Sequence, residues 1–197
     1  MRDGSDDELM RRAGRGDNAA FAALVARHIP RATALATRIS GSRSDAEEIV
    51  QEAFLRTWMK APDWESQTSI AGGARFTTWF TRVLVNLCID RRRRPQPAPL
   101  EAAAEVASTA PEGLEVVARN ETSARVLAAL AELPERQRAA LTLCHWDGRS
   151  NIEAAEILEI SVGALESLLV RARRTLRIVL ADLVPDQGSP PLKRKLS

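Results

Sequence analysis

Three observations predict an all-α protein of two helical domains joined by a flexible linker. Ala, Leu and Arg abound while Tyr is absent and β-branched runs are missing, a composition that favours helices over strands. Apolar residues recur at helical spacing on both sides of the middle of the chain. Between them, Pro95–Gly113 holds four prolines, many alanines and three carboxylates, the composition of an extended tether. At 197 residues, 45% hydrophobic and 27% charged, the chain is long enough for two small domains and too apolar to be disordered overall.

The first domain reads as successive helices. Asp6–Arg15 is amphipathic and stops at Gly14 and Gly16. Asp17 caps a long helix running to about Ser40, with Phe21, Leu24, Val25, Ile29, Leu35 and Ile39 inward and Pro30 kinking or breaking it. After the Gly41-Ser42 turn, Ser44 and Glu47 form a capping box for Asp45–Lys60. That helix buries Ile49, Val50, Ala53, Phe54 and part of Trp58. Its other face sets Leu55 and Met59 among Glu48, Gln51 and Glu52, an apolar anchor in a polar rim that suits a docking surface or, more plainly, a solvated face.

A loop over residues 61–74 leads to Arg75–Arg94, the most informative helix. Phe76, Phe80, Val83, Leu84 and Leu87 share one face; Trp79, Arg82, Asn86, Asp90 and Arg93 share another, and the helix ends in Arg91, Arg92, Arg93 and Arg94. The first face must be buried. The second offers an aromatic for base stacking, an amide for base edges and guanidinium groups for phosphates. A packed tryptophan and a solvated, dipole-favoured arginine end account for the same residues.

The linker reaches on the order of 60 Å when extended, more than one turn of duplex DNA at about 34 Å. Beyond it, Glu115–Glu132 packs through Val116, Val117, Val126, Leu127 and Leu130. Pro134 opens Pro134–Trp146, with Ala139, Leu141 and Leu143 apolar. Asp147-Gly148 turns the chain, Ser150 and Glu153 box the start of Asn151–Leu158, and Ser161 caps Val162–Leu183. The short Glu159-Ile160-Ser161 spacing is that of a helix-turn-helix. In the last helix Val162, Leu165, Leu169, Ala172 and Leu176 point inward. Gly163, Glu166, Ser167, Val170, Arg171 and Arg174 point outward, as a major-groove reader requires.

The net charge of +2 averages unlike regions: the four-arginine run and the Arg171, Arg173, Arg174, Arg177 cluster are basic, Asp3–Glu8 and Glu101–Glu115 acidic. Cys88 and Cys144 lack metal spacing and read as reduced packing residues; His28 and His145 read as ordinary packing or surface residues. The start has no apolar signal region and no 18-residue apolar run occurs, so a cytoplasmic location is expected. No phosphate loop, metal-ligand cluster or nucleophile–base pair is apparent, so neither cofactor, small-molecule substrate nor enzymatic activity is expected.

Three stretches together resemble the sigma-70 family of bacterial transcription initiation factors, in its extracytoplasmic-function (ECF) group, which keeps regions 2 and 4. DAEEIVQEAFLRTW (Asp45–Trp58) resembles region 2.2, RFTTWFTRVLVNLCIDRRRR (Arg75–Arg94) regions 2.3–2.4, and Leu133–Arg177 region 4. The resemblance implies region 2 over 1–94, a linker over 95–114, region 4 over 115–184 and a tail over 185–197. It implies docking of Glu48, Gln51, Glu52 and Leu55 on the clamp helices of the largest catalytic subunit of core RNA polymerase, and of region 4 on the flap of the second. Trp79, Arg82, Asn86, Asp90 and Arg91–Arg94 would engage the −10 element of promoter DNA, Asn86 at a flipped base, and Trp64–Ala74 would match the −10 specificity loop. Glu166, Ser167, Val170 and Arg171 would face the −35 bases, with Arg149, Arg173 and Arg174 on the backbone. A cognate anti-sigma factor binding both domains is the implied regulator.

Two departures from the family stand out. Glu159 occupies a left-handed turn position that is often glycine there, at a cost of roughly 1 kcal/mol. Glu166 and Leu168 stand where basic residues are common; Glu166 would accept from a cytosine amino group or pair with an arginine. A dimeric helix-turn-helix regulator of the LuxR-like class accounts for residues 115–180 alone.

Overall fold

In the computed structural model the described residues are 4–64, 76–93 and 125–181, and all of their regular structure is helical. The loop over 65–74, the linker over 95–114, the start of the second domain before residue 125, the tail over 185–197, Arg94 and the side chains of Arg92 and Arg93 lie outside them.

The first module comprises α1 (Asp6–Gly14), α2 (Asn18–Ser40), α3 (Arg43–Lys60), a 3-10 turn at Ala61–Asp63 and α4 (Phe76–Arg93). Ser5 caps α1, accepting from the Glu8 N–H at 3.2 Å, and Asp17 caps α2, accepting from the Ala20 N–H at 3.0 Å. Pro30 does not break α2. It sits on the exposed side, so the carbonyl of Ala26 that loses its helical donor also faces water, while Leu24, Leu35, Ala36 and Ile39 bury the opposite side. Gly41 then takes φ 77° and its N–H satisfies the Thr37 carbonyl at 2.8 Å. The cap of α3 is Ser42, not Ser44: its hydroxyl accepts from the Asp45 N–H at 3.2 Å, starting the helix two residues earlier than the Ser44–Glu47 pattern predicts.

The core of this module is aromatic. Phe76 and Phe80 stack with centroids 5.5 Å apart, Phe54 lies 4.9 Å from Phe80, and Trp64 meets Trp79 edge-on at 5.4 Å. Trp64, expected in the specificity loop, is therefore a core residue. Two tight contacts fix α1. A Cβ on Gly14 would stand 2.3 Å from the Ala61 carbonyl oxygen, so only glycine fits that crossing. Asp7 accepts from the Phe76 N–H at 3.2 Å and so caps the first turn of α4 from another helix.

The second module comprises a helix over residues 125–131 (α5), α6 (Glu135–His145), α7 (Asn151–Leu158) and α8 (Val162–Val179). Pro134 is the cap of α6 and not its first residue, and the described helix α8 ends at Val179, before Leu183. Ser150 and Glu153 form the expected reciprocal box, which holds the Glu153 carboxyl below its usual range through the Ser150 N–H and hydroxyl. Ser161 accepts from the Ala164 N–H at 3.2 Å to start α8. Ile29 and Leu127, expected inward, are instead 43% and 47% exposed and flank an open apolar groove between α2 and α5.

The modules do not stand apart: α2 and α4 of the first pack on α6 and α7 of the second. Arg138 is wholly buried and donates to the carbonyls of Ile39 (2.9 Å), Ala131 (2.5 Å) and Leu133 (2.8 Å), tying the end of α2 to the α5–α6 turn. Arg31 donates to the Asp147 carboxylate at 2.6 Å and to its carbonyl at 2.9 Å. Thr81, Val85, Cys88 and Ile89 of α4 are buried besides Phe76, Phe80 and Leu84, so α4 is covered on more than the one face that periodicity picks out.

Candidate nucleic-acid interface

α8 presents its predicted outer face intact. Ser161 starts the helix, Leu165, Leu169 and Ala172 pin it to the core, and Gly163, Glu166, Ser167, Val170, Arg171 and Arg174 are exposed. Glu166, Ser167, Val170 and Arg171 line a shallow surface hollow with Gly163. The Ser167 hydroxyl donates to the Gly163 carbonyl at 3.0 Å, which leaves its lone pairs outward as acceptors. Val170, 63% exposed, is an apolar contact of the kind a thymine methyl takes. Val162, expected inward, is 38% exposed at the first turn. Arg173 is exposed and lies 3.2 Å from the His145 ring.

Glu159 is left-handed, at φ 54° and ψ 46°, the one non-glycine residue with positive φ among those described. A left-handed glutamate costs about 1 kcal/mol that glycine would not. The strained residue closes α7 and aims the chain into α8.

On α4 the second face divides. Asn86 and Asp90 are exposed, so an amide and a carboxylate are presented freely. Trp79 is half-buried between Trp64 and Phe76, leaving only part of the indole open. Arg82 turns to the other module: it donates to the Glu156 carbonyl at 3.1 Å and stands 3.6 Å and 3.5 Å from the Glu156 and Glu159 carboxylates. Arg149, expected at a phosphate, is likewise taken into the seam, where Asp147 lies 3.0 Å, Thr81 3.5 Å and Glu153 3.6 Å away. Arg91 does not extend freely from the end of α4: it pairs with Glu48 at 2.5 Å and Asp45 at 3.2 Å of α3, which holds its guanidinium still more firmly protonated.

Those pairs join two of the predicted faces. Glu48, Ile49, Glu52, Arg56, Leu87, Asp90 and Arg91 line a hollow of about 310 Å³ between α3 and α4. Gln51 is exposed beside it, and Leu55 and Met59 are 54% and 69% exposed, an apolar pair in a charged rim. Sequence periodicity placed Glu48, Gln51, Glu52 and Leu55 together; it did not place Arg56, whose Nε donates to Glu52 at 2.9 Å, in the same hollow. It also missed Arg31, Asp147 and Arg138, because their partners lie in the other module.

Cys88 is buried, which pushes its thiol up to about 12, and Cys144 is half-buried with its thiol also raised by burial. Among the described residues no group of His, Cys, Asp and Glu is placed to hold a metal ion, and no helix is long and apolar enough to cross a membrane.

A helix-turn-helix with an open, arginine-bearing second helix, behind a helical bundle carrying an aromatic- and arginine-bearing helix, is the architecture of a two-module transcription factor. Residues 24–97 match the family model for sigma-70 region 2, and residues 123–176 that for sigma-70 region 4. The chain is 33% identical over 183 residues to the ECF RNA polymerase sigma factor SigW of Bacillus subtilis, spanning 86% of this chain and 93% of that one. It resembles the structure of CnrH in complex with the cytosolic domain of CnrY, at 29% identity and TM-score 0.64 over 91% of this chain and 99% of that one. It shares its fold with the sigma factor RpoE of Bartonella quintana, solved with the anti-sigma factor NepR, at 22% identity and TM-score 0.57 over 82% and 96%. The chain belongs to the sigma-70 family, in its ECF group, a family of transcription initiation factors.

Proposed function

We propose that this ECF sigma factor binds core RNA polymerase through α3, reads a −35 element with α8, and opens and reads a −10 element with α4. The observation that carries the reading is the exposure of three chemically distinct faces in family order. Leu55 and Met59 stand in a rim of Glu48, Gln51 and Glu52. Asn86 and Asp90 stand on α4, and Glu166, Ser167, Val170 and Arg171 on α8.

Each face has a chemical task. Leu55 supplies the apolar anchor against the polymerase clamp, and the carboxylates meet its basic rim. The Asn86 amide offers a donor and an acceptor to the edge of an unpaired base, while Arg82 lies one helical turn away for phosphate contact and Trp79 two turns away for stacking. Arg92, Arg93 and Arg94 then hold the strand backbone, joined by Arg91 once it exchanges Glu48 and Asp45 for a phosphate. In the major groove Arg171 reaches a guanine, Glu166 accepts from a cytosine amino group and Val170 meets a thymine methyl, with Arg173 and Arg174 on phosphates and Arg149 joining them once it leaves the seam. The polymerase supplies the chemistry of chain synthesis, and this chain supplies recognition and melting in the cytoplasm. A cognate anti-sigma factor holds it inactive; support comes from the similar chain CnrH, whose structure contains the cytosolic domain of CnrY.

Reconstitution tests the whole. Core polymerase supplemented with the purified chain is run on fragments of the host genome, and transcripts are mapped. New start sites that share two upstream elements are the expected result. Absence of any start beyond those made by core alone overturns the reading.

A further inference from the structure

Arg82 is a guanidinium of the first module held by three oxygens of the second. One is the Glu156 carbonyl, near the electronegative C-terminus of α7; the others are the Glu156 and Glu159 carboxylates. Only one of these acids needs an explanation. Glu156 lies in ordinary helix, but Glu159 sits where a glycine would be unstrained and has its carboxylate 3.5 Å from Arg82. Glycine there would relieve the backbone and remove the charge together. The Nε of Arg82 is buried without a partner, so the guanidinium is drawn toward the acids at the expense of its inner nitrogen.

The arrangement competes with DNA. A planar cation that faces two carboxylates and a carbonyl presents the same donors that a strand phosphate would take. The seam also encloses Arg149, while the outer face of α8 stays open. Arg82 cannot give the same donors to these acids and to a strand phosphate at once, so phosphate contact by Arg82 requires the seam to open around it.

We propose that Glu156 and Glu159 are an internal stand-in for the phosphates of the −10 strand, holding Arg82 and latching the two modules shut until polymerase separates them. The inference rests on the assignment of Arg82 to the −10 strand. Each pair is partly exposed, so the latch is weak and salt-sensitive. It biases the closed form and does not lock it, alongside Arg31–Asp147 and Arg138–Ile39.

The test uses the full chain without polymerase. Small-angle scattering reports how far the modules separate, and anisotropy of a fluorescein-labelled random-sequence single strand reports access to Arg82. Glu156→Gln with Glu159→Gln removes the acids but keeps the left-handed backbone; Glu156→Gln with Glu159→Gly removes both. Glu8→Gln with Glu47→Gln makes the same charge change away from the seam. Both seam variants should expand at lower salt than the parent and bind the strand about two- to tenfold tighter than the control pair does. Unchanged scattering, strand binding equal to the control, or an effect confined to the glycine variant each overturns the proposal. Failure of the −10 assignment shows elsewhere: Arg82→Ala would then leave transcription by the assembled holoenzyme at the parent level.

Discussion

The guanidinium of Arg138, wholly buried, donates to the carbonyl of Ile39 across 99 residues of sequence at 2.9 Å. The same side chain satisfies Ala131 and Leu133, so three main-chain carbonyls at the seam depend on one residue. Arg138→Met keeps an unbranched, apolar stem and removes every donor. Leaving buried carbonyls unpaired should destabilise the chain by about 3 kcal/mol. Urea titration checks this through the unfolding midpoint, and a midpoint equal to the parent's would remove Arg138 from the list of seam-forming residues.

Asn86 is exposed on α4 and makes no contact that the fold needs. Asn86→Ala should therefore leave thermal stability and polymerase binding as they are, and lower promoter opening by about tenfold, the loss of one base-edge pair at 1–3 kcal/mol. Permanganate footprinting of the opened strand and run-off transcription measure it. Unaltered opening would mean that this face of α4 does not touch the strand.

Gln51→Ala combined with Leu55→Ala removes an amide and a largely exposed apolar side chain from the α3 rim. The fold should be indifferent, since neither side chain belongs to the core. Affinity for core polymerase should fall at least tenfold, as loss of an interface anchor costs about 2 kcal/mol. Competition for core against the parent chain supplies the number.

The capping box of α7 carries a pH dependence. Ser150 holds the Glu153 carboxyl below its ordinary value of 4.5, so folding favours the ionised form. Its contribution is complete above the unfolded value and is lost as pH falls through the lower, folded one. Melting curves of the parent and of Glu153→Gln should differ at neutral pH and converge as the pH falls from 4.5 through the lower, folded value. A constant gap across that range would disprove the linkage.

Sequence alone revealed what depends on neighbours in the chain. The Ser150–Glu153 box and the Ser161 cap involve residues three apart, and the outer face of α8 follows from helical spacing and one buried stripe. Where two local solutions compete, the pattern misleads: Ser42-x-x-Asp45 and Ser44-x-x-Glu47 are equally good starts, and α3 takes the earlier one. Ile29 and Leu127 show a different limit. Periodicity tells which way a side chain points but not whether another element reaches far enough to cover it. The seam was out of reach altogether, because Arg31 and Asp147 lie 116 residues apart and Arg82 and Glu156 lie 74 apart. Arg82 and Arg149, which helical spacing pictures as free, are instead engaged at the seam.

The bare backbone of Gly14 against Ala61 acts as a gauge for the whole bundle. With no room for even a methyl group, α1 has a single permitted height on its neighbours, and that height delivers Asp7 to the first amide of α4. A tolerance of a fraction of an ångström at this crossing is passed on, through one carboxylate, to the first turn of α4. Alanine at position 14 would thus shift α1 on its neighbours and be felt in turn at the start of α4, on a helix that the added carbon does not touch.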